Sequence, residues 1–319
     1  MSQAVHDALF ERWFDVGRPA LNLELPDGSR LFAVMAVTAR PSVAIRRHRY
    51  PKVTLDDLVG LGMLDSGLHA LLAAAVRARK NIIVCGGTGA GKTTLLRGLL
   101  NEVAPSERLV TIEDNFELGL QRFPELHPDV VAMEAREPNV EGEGEVSMAE
   151  LVRMGLRMSP DRVIVGEVRG PEVLALLNAM SQGNDGSMCT VHADSSSGAF
   201  ARLAMYAVQA PERLPLEATN LLVANSIDFV VFIAQDTPVV GARRDRYISS
   251  VREVVGADGR IVVSNEVWAP GVDRRATPAA PLRPATLADL QAVGYDHASV
   301  DRLTLRVALA GRPAVVWQQ

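Results

Sequence analysis

The fold is decided by the stretch NIIVCGGTGAGKTTLL, residues 81–96. The apolar run from Asn81 to Cys85 predicts a short buried strand, and the segment from Thr93 to Val103 predicts the helix that follows. The loop from Gly86 to Thr93 matches G-x-x-x-x-G-K-[ST], in which glycines let successive backbone N–H groups turn inward toward phosphate. The positive N-terminal end of the helix adds to this attraction. In this strand–loop–helix context, the loop predicts a nucleotide phosphate site rather than a plain glycine-rich turn.

Two side chains of the loop carry the expected chemistry. Lys92 is expected to reach the β- and γ-phosphates, and the Thr93 hydroxyl is expected to ligate Mg²⁺. Lysine is rare in this chain, which has only Lys52, Lys80 and Lys92 among its 33 basic residues, so a lysine at this position is informative. The candidate nucleotide-binding residues of the loop are Gly86, Gly87, Thr88, Gly89, Ala90, Gly91, Lys92, Thr93 and Thr94.

The composition places the chain among globular proteins. It has 319 residues, 48% hydrophobic and 22% charged, which excludes disordered and fibrous architectures. Two cysteines, Cys85 and Cys189, cannot build a disulfide framework or a four-ligand zinc site, so a reducing, cytoplasmic setting is expected. The net charge of -5 argues against bulk attraction to nucleic acid. No run of apolar residues is long enough to predict a transmembrane helix, so any association with a membrane is expected to go through a partner.

Alternating strand and helix patterns predict an α/β fold with a largely parallel sheet covered by helices on both faces. We expect four segments. Residues 1–51 form a partial N-terminal domain with a hairpin and a basic stretch, 52–66 form a linker, and 67–235 form the core. Residues 236–319 add a hairpin, a Pro-rich loop and short helices.

Three further candidate residues lie where predicted strands end, which is where open parallel sheets bind ligands. Glu113 follows the strand 109–112 and is expected to activate a water molecule. Glu167 ends the strand 162–166 in the manner of a Walker B acid and is expected to reach Mg²⁺, in part through water. His192 ends a third strand and could sense the γ-phosphate. Each also has a structural interpretation, as a helix cap for the acids and as an ordinary core residue for the histidine.

Several arginines could neutralise phosphoryl charge, including one supplied across a subunit boundary. The candidates are Arg136, Arg153, Arg157 and Arg169. For Arg153 a solvated helix face, and for Arg169 a surface ion pair, is the competing interpretation.

Four quoted runs, GGTGAGKTTLL, TIEDNFEL, EAREPNVEGEGEVSMAELVRMGLRMSPDRVIVGEVRGPE and AMSQGNDGSMCTVHADSS, together resemble the ATPases of type II and type IV secretion systems. The similarity is greatest to the CpaF-like branch that serves Tad (Flp) pili and related conjugal-transfer machines. It implies a RecA-like P-loop NTPase core, a hexameric ring, ATP and Mg²⁺, and catalytic roles for Glu113, Glu167, Arg136 and His192. It also implies that basic residues such as Arg46 and Arg47 help an N-terminal domain to close over the nucleotide.

The sequence departs from the family in two places. Asn184 stands where a histidine is common, and the N-terminal domain is short. No C-x-x-C zinc module is present.

We therefore expect a Mg²⁺-dependent ATPase that drives pilus assembly, protein secretion or conjugal transfer from the cytoplasmic face of a membrane. Its expected partners are copies of itself and an inner-membrane platform protein. The alternatives are a nucleic-acid-translocating motor, a nucleotide-gated scaffold without catalysis and, with less support, a small-molecule kinase.

Overall fold

The N-terminal segment forms a small antiparallel sheet. The computed structural model describes residues 14–25, 29–46, 52–138, 142–236 and 244–296. Strands β1 (Ala20–Glu24), β2 (Arg30–Val34) and β3 (Ser42–Arg46) pair in the order β1-β2-β3. The first two are the predicted hairpin, whereas β3 was not predicted. Its short alternating sequence, SVAIR, is exposed throughout and gives only a weak strand signal.

Nine further strands in the described residues form one mixed sheet. Its parallel part consists of β4 (Ile82–Gly86), β5 (Leu109–Glu113), β6 (Val130–Glu134), β7 (Arg162–Val168), β8 (Met188–His192) and β9 (Phe229–Gln235). Three antiparallel strands extend it, β10 (Arg246–Asp258), β11 (Ile261–Pro270) and β12 (Ala276–Pro278). The spatial order is β12-β11-β10-β9-β4-β8-β7-β5-β6. The hairpin that we assigned to a separate C-terminal extension thus continues the core sheet.

Eight α-helices are present in the described part of the chain. They are α1 (Leu55–Gly60), α2 (Ser66–Arg77), α3 (Lys92–Leu100), α4 (Met148–Leu156), α5 (Glu172–Ser181), α6 (Gly198–Gln209), α7 (Leu216–Ser226) and α8 (Pro284–Ala292). A capping box of Ser147 and Glu150 opens α4, and a second box, Thr54 with Asp57, opens α1. Helix α7 was not predicted. Within the described ranges, no helix has the length and hydropathy needed to cross a bilayer.

Both faces of the sheet are covered, as the continuous apolar strands predict. On β4, Ile82 and Val84 pack into one hydrophobic core, and Ile83 and Cys85 pack into the other. The first core also takes in Val53, Leu55 and Leu58 of the predicted linker, all fully buried. These linker residues are therefore packed against the core rather than extended in solvent.

This topology brings four strand ends together. Strands β4, β8, β7 and β5 are neighbours and run parallel, so their carboxyl ends lie at one edge of the sheet. Those ends carry Gly86, His192, Glu167 and Glu113. The edge is where an open α/β sheet binds its ligand.

Candidate nucleotide site

The loop between β4 and α3 has the conformation that a phosphate cradle requires. Gly89 and Gly91 adopt φ angles of 72° and 101°, in the left-handed region that favours glycine. A side chain at Gly91 would also meet the Met63 side chain, since a Cβ there would lie 3.0 Å from Met63 Cε. Gly91 is the N-cap of α3, so Lys92 and Thr93 stand in the first turn of the helix. The first-turn N–H groups and the positive end of the helix thus face the loop.

A cavity of 690 Å³ opens in front of this loop. The predicted site residues that line it are Thr88, Gly89, Gly91, Lys92, Thr93, Thr94, Arg46, Glu113, Glu167 and His192. Gly86, Gly87 and Ala90 belong to the loop but are not among the lining residues. In the described part of the chain, the basic residues that line the cavity are Arg30, Arg46, Lys92, Arg97, Arg169, Arg244 and Arg246. Five acids line it as well, Glu113, Asp114, Glu117, Glu167 and Asp245, so the Lys and Arg residues exceed the acids by two. A concave site with an excess of basic residues suits a polyanion such as a nucleotide phosphate chain.

Glu167 lies at the centre of a charged cluster at the ends of β7 and β8. Its Oε1 is 2.9 Å from His192 Nε2 and 3.5 Å from Lys92 Nζ. Its other oxygen pairs with Arg169, which also lies 3.5 Å from Asp114. Arg169, for which a surface ion pair was the competing interpretation, is therefore part of the cavity wall.

The same cluster sets the ionisation of its members. Burial lowers the pKa of His192, and Lys92 and Arg169 act in the same direction, while Glu167 opposes them. The imidazole is therefore neutral near neutral pH and can both donate and accept a hydrogen bond. Burial also lowers the pKa of Lys92, and Glu167 counteracts this shift.

Glu113 lines the cavity but is almost fully buried. It is 2% exposed, and its Oε2 accepts hydrogen bonds from the backbone N–H groups of Glu117 (2.7 Å) and Leu118 (2.8 Å). Its Oε1 is buried without a hydrogen-bond partner. Burial raises its pKa to about 7 from an ordinary value of 4.5, with the two N–H groups and Arg97 acting in the opposite direction and Glu117 adding to the rise. Its assignment as the base stays a prediction.

Sequence reasoning missed Glu117, which lies in the same TIEDNFEL run. The Thr93 hydroxyl donates a hydrogen bond to its Oε2 at 3.2 Å, and its Oε1 forms ion pairs with Arg30 and Arg46. Glu117 therefore joins the phosphate loop to the N-terminal sheet. The signal was available, because two acids four residues apart bracket the turn after β5, but the strand-end rule selects only the first.

Other predicted residues do not reach the cavity. Arg136 is exposed and its Nε donates to the Gly144 carbonyl at 2.6 Å, so within one chain it does not contact the phosphate loop. Arg153 is also exposed, 3.5 Å from Glu212. Asn184 donates to the Pro160 carbonyl at the opposite edge of the sheet. Arg47 lies outside the described residues.

The donor groups at the loop fit Mg²⁺. The Thr93 hydroxyl and the Glu117 carboxylate are in contact, and both are hard oxygen donors of the kind that Mg²⁺ prefers. No group of three or more His, Cys, Asp or Glu side chains that could hold a metal by itself occurs among the described residues. Mg²⁺ is commonly held by one or two protein groups together with substrate phosphates, and the Thr93 and Glu117 oxygens could supply those groups.

The buried Glu113 carboxyl should make folding stability depend on pH. Between pH 4.5 and about 7 the folded protein keeps a proton that the unfolded chain has lost, so stability should fall as pH rises through this window. We expect the free energy of unfolding of the wild type, relative to Glu113→Gln, to fall by about 3 kcal/mol across it. Urea unfolding of both proteins at about pH 4.5 and about pH 7.5 measures this difference. Parallel pH profiles would show that the carboxyl titrates normally.

The fold and the site together define a P-loop nucleotide-binding protein. A phosphate loop follows a central strand of a mostly parallel sheet, and carboxylates from two neighbouring strand ends border the same cavity. The chain belongs to the family described as Type II/IV secretion system protein, whose model matches residues 19–237. The family predicted from the sequence is therefore confirmed, as is the α/β fold class.

Individual relatives agree with this assignment. A putative conjugal transfer protein of Mycobacterium tuberculosis is 41% identical over 234 residues, which cover 73% of this chain and 63% of the relative. The probable conjugal transfer protein TrbB of Sinorhizobium fredii is 32% identical, with 79% of this chain and 73% of the relative covered. The pilus retraction motor PilT with bound ADP has a similar fold, with a TM-score of 0.52, 20% identity and coverage of 78% of this chain and 66% of that one. The chain thus spans less than two thirds of the length of the mycobacterial relative.

Proposed function

We propose that this protein is a Mg²⁺-dependent ATPase that acts in an oligomeric ring and powers a machine for conjugal transfer, secretion or pilus assembly. One observation carries the proposal. The phosphate loop, the charged cluster around Glu167 and the Glu117 carboxylate all border a single cavity. The names of the relatives, which include conjugal transfer and type IV secretion system proteins, support the proposed setting.

In this proposal the phosphates of ATP bind to the loop amides and to Lys92. Thr93 would hold Mg²⁺ directly, and Glu167 would act on it through water or through the neighbouring charges. Bound Mg²⁺ would neutralise charge that develops on the phosphates. His192, which contacts both Lys92 and Glu167, is placed to respond to the γ-phosphate.

Two carboxylates are candidates for the group that orients and deprotonates water. Sequence reasoning names Glu113, whereas the geometry supports Glu117. The Glu117 carboxylate reaches the hydroxyl that would ligate Mg²⁺. Glu113 is only 2% exposed, its Oε1 is buried, and its Oε2 already accepts two N–H groups. A general base has to come within hydrogen-bond reach of the attacking water.

In the proposed ring, Arg136 of one copy would act at the nucleotide site of its neighbour. Because Arg136 does not reach the cavity of its own chain, we propose that it acts at the boundary with a neighbouring copy, where an arginine can stabilise transition-state charge. A platform protein at the cytoplasmic face of the inner membrane is the proposed partner to which the ring transmits motion.

A turnover assay on the purified chain tests the function. We expect ATP hydrolysis that stops when EDTA removes Mg²⁺ and returns when Mg²⁺ is restored, with a mass measurement showing assembly in the presence of a non-hydrolysable ATP analogue. Turnover stimulated by DNA, with a steep dependence on salt, would instead indicate a translocating motor. An assembled ring without any turnover would indicate a scaffold and would overturn the proposal.

A further inference from the structure

Gly166 on strand β7 lies beside the Glu113 side chain of the neighbouring strand β5. A Cβ built on Gly166 would lie 3.1 Å from Glu113 Cγ and 3.5 Å from Glu113 Oε2. The first distance is closer than carbon atoms normally approach, so a side chain at 166 would require the Glu113 side chain to shift by a few tenths of an ångström. Gly166 stands where a Walker B strand commonly has an aspartate. The departure from the common pattern therefore coincides with the slot that the Glu113 side chain occupies.

The Glu113 side chain in this slot organises the turn that follows β5. One carboxylate oxygen accepts both the Glu117 and the Leu118 N–H groups, and Leu118 itself is 1% exposed. No helix or strand forms between Glu113 and Leu120. Because this segment lacks regular secondary structure, these two bonds restrain its backbone together with the bond from the Phe116 N–H to Glu134 Oε1 (3.1 Å).

The same backbone carries the Glu117 carboxylate. Its side chain extends from the amide that Glu113 holds to the Thr93 hydroxyl, 3.2 Å away. Moving the turn would therefore move the carboxylate relative to the phosphate loop. A displacement of about 1 Å at a reacting group can reduce turnover by about 10²-fold.

We infer that Glu113 is a positioning residue, seated in the slot left by Gly166, which fixes the turn after β5 so that Glu117 faces Thr93. The inference rests on the proposed ATPase function insofar as it concerns turnover. It differs from the role in which Glu113 itself takes a proton from water.

A glutamine substitution separates the two roles. In Glu113→Gln the side-chain amide oxygen would still accept both backbone N–H groups, but the amide cannot act as a base. Alanine would remove both functions. We therefore expect kcat to fall by about 10- to 100-fold in Glu113→Ala with little change in KM, and Glu113→Gln to restore kcat to within about threefold of the wild type.

Hydrogen exchange gives a readout that does not depend on turnover. In Glu113→Ala, a peptide that includes the Glu117 and Leu118 amides should exchange about 10-fold faster than in the wild type, because two hydrogen bonds are lost. In Glu113→Gln the same peptide should exchange at nearly the wild-type rate. A wild type with no ATPase activity would refute the proposed function, and this comparison would still test the positioning role.

Gly166→Ala tests the slot from the other strand. In the wild-type background, Gly166→Ala should lower kcat and speed hydrogen exchange of the same peptide. In the Glu113→Ala background it should change kcat and exchange little further, because the space beside residue 166 is already free. Two changes that act through one contact are non-additive in this way. Gly60→Ala is the matched control, because a Cβ at Gly60 would meet nothing within 4 Å.

Two results would overturn the inference. One is a Glu113→Gln enzyme that loses as much kcat as Glu113→Ala while its turn stays protected, which would make Glu113 the base. The other is an equal cost of Gly166→Ala with and without the Glu113 side chain. Because Gly166→Ala and Glu113→Gln each preserve most of the packing, the test does not depend on whether Glu113→Ala folds.

Discussion

Lys92→Ala should weaken ATP binding by about 10²-fold and reduce turnover by about 10³-fold. The lysine residue is 7% exposed, and its ammonium lies within 3.5 Å of both His192 and Glu167. When ATP binds, we expect the Lys92 ammonium to leave Glu167 and pair with the phosphates. Alanine would leave the phosphates without that charge and Glu167 without its buried counter-charge, and both losses act against binding.

The chain supplies a close control for this substitution. Lys52 is one of only two other lysines; it is half exposed and lies 3.7 Å from Glu125. Lys52→Ala should leave ATP affinity and turnover unchanged, since exposed pairs of this kind contribute little. Affinity measured by fluorescent nucleotide titration, with turnover measured in parallel, separates the two effects. Unchanged affinity in Lys92→Ala would contradict the assignment of the phosphate loop.

The core of the site could be predicted from sequence because local rules and topology agree there. Gly86 to Thr93 carries its own conformational requirements, and the apolar strand before it places the loop at the carboxyl edge of the sheet. Glu167 and His192 were found by the same topological rule. The phosphate loop, Glu167 and His192 each lie at the end of a strand, and the ends of strands can be predicted from the sequence.

Glu117 and Arg169 were harder to predict because they act from irregular segments. Glu117 lies in a turn without periodicity, and its position depends on hydrogen bonds to a side chain on β5. Arg169 follows the end of β7, and nothing in its sequence neighbourhood separates a cavity arginine from a surface one. Tertiary contacts determine the positions of both side chains, and local sequence patterns do not reveal those contacts.

The segment boundaries show the same limit in the fold. The change in composition after Gln235 indicated a new segment, yet β10 pairs with β9 over seven residues from Arg246 to Glu253 and continues the sheet. Similarly, the predicted linker 52–66 contains a helix that starts after Thr54, and the burial of Leu55 and Leu58 in that helix depends on partners distant in sequence. A change in amino-acid composition along the chain therefore does not mark the end of the sheet.

Glu117→Gln should reduce kcat by about 10²-fold or more while ATP binding stays within a few fold of the wild type. Glutamine keeps the size of the side chain and can still accept the Thr93 hydroxyl, but it cannot take a proton. Its neutral amide also no longer pairs with Arg30 and Arg46, so contact between the two sheets should loosen. Glu125→Gln, at an exposed acid elsewhere in the chain, is the matched control for the loss of one carboxylate.

Comparison of Glu117→Gln with Glu113→Gln decides which carboxylate serves as the base. Replacing a group that takes a proton in the transition state should lower kcat and kcat/KM together. Replacing a group that only binds the substrate in the ground state should instead raise KM. If Glu117 is the base, Glu117→Gln shows the first behaviour and Glu113→Gln retains turnover. The reverse result would return the role to Glu113, and Glu117 would then be a bridge between Thr93 and the N-terminal sheet. In that case Arg30→Ala, which removes one end of the bridge, should reproduce the Glu117→Gln phenotype, because both changes break the same contact.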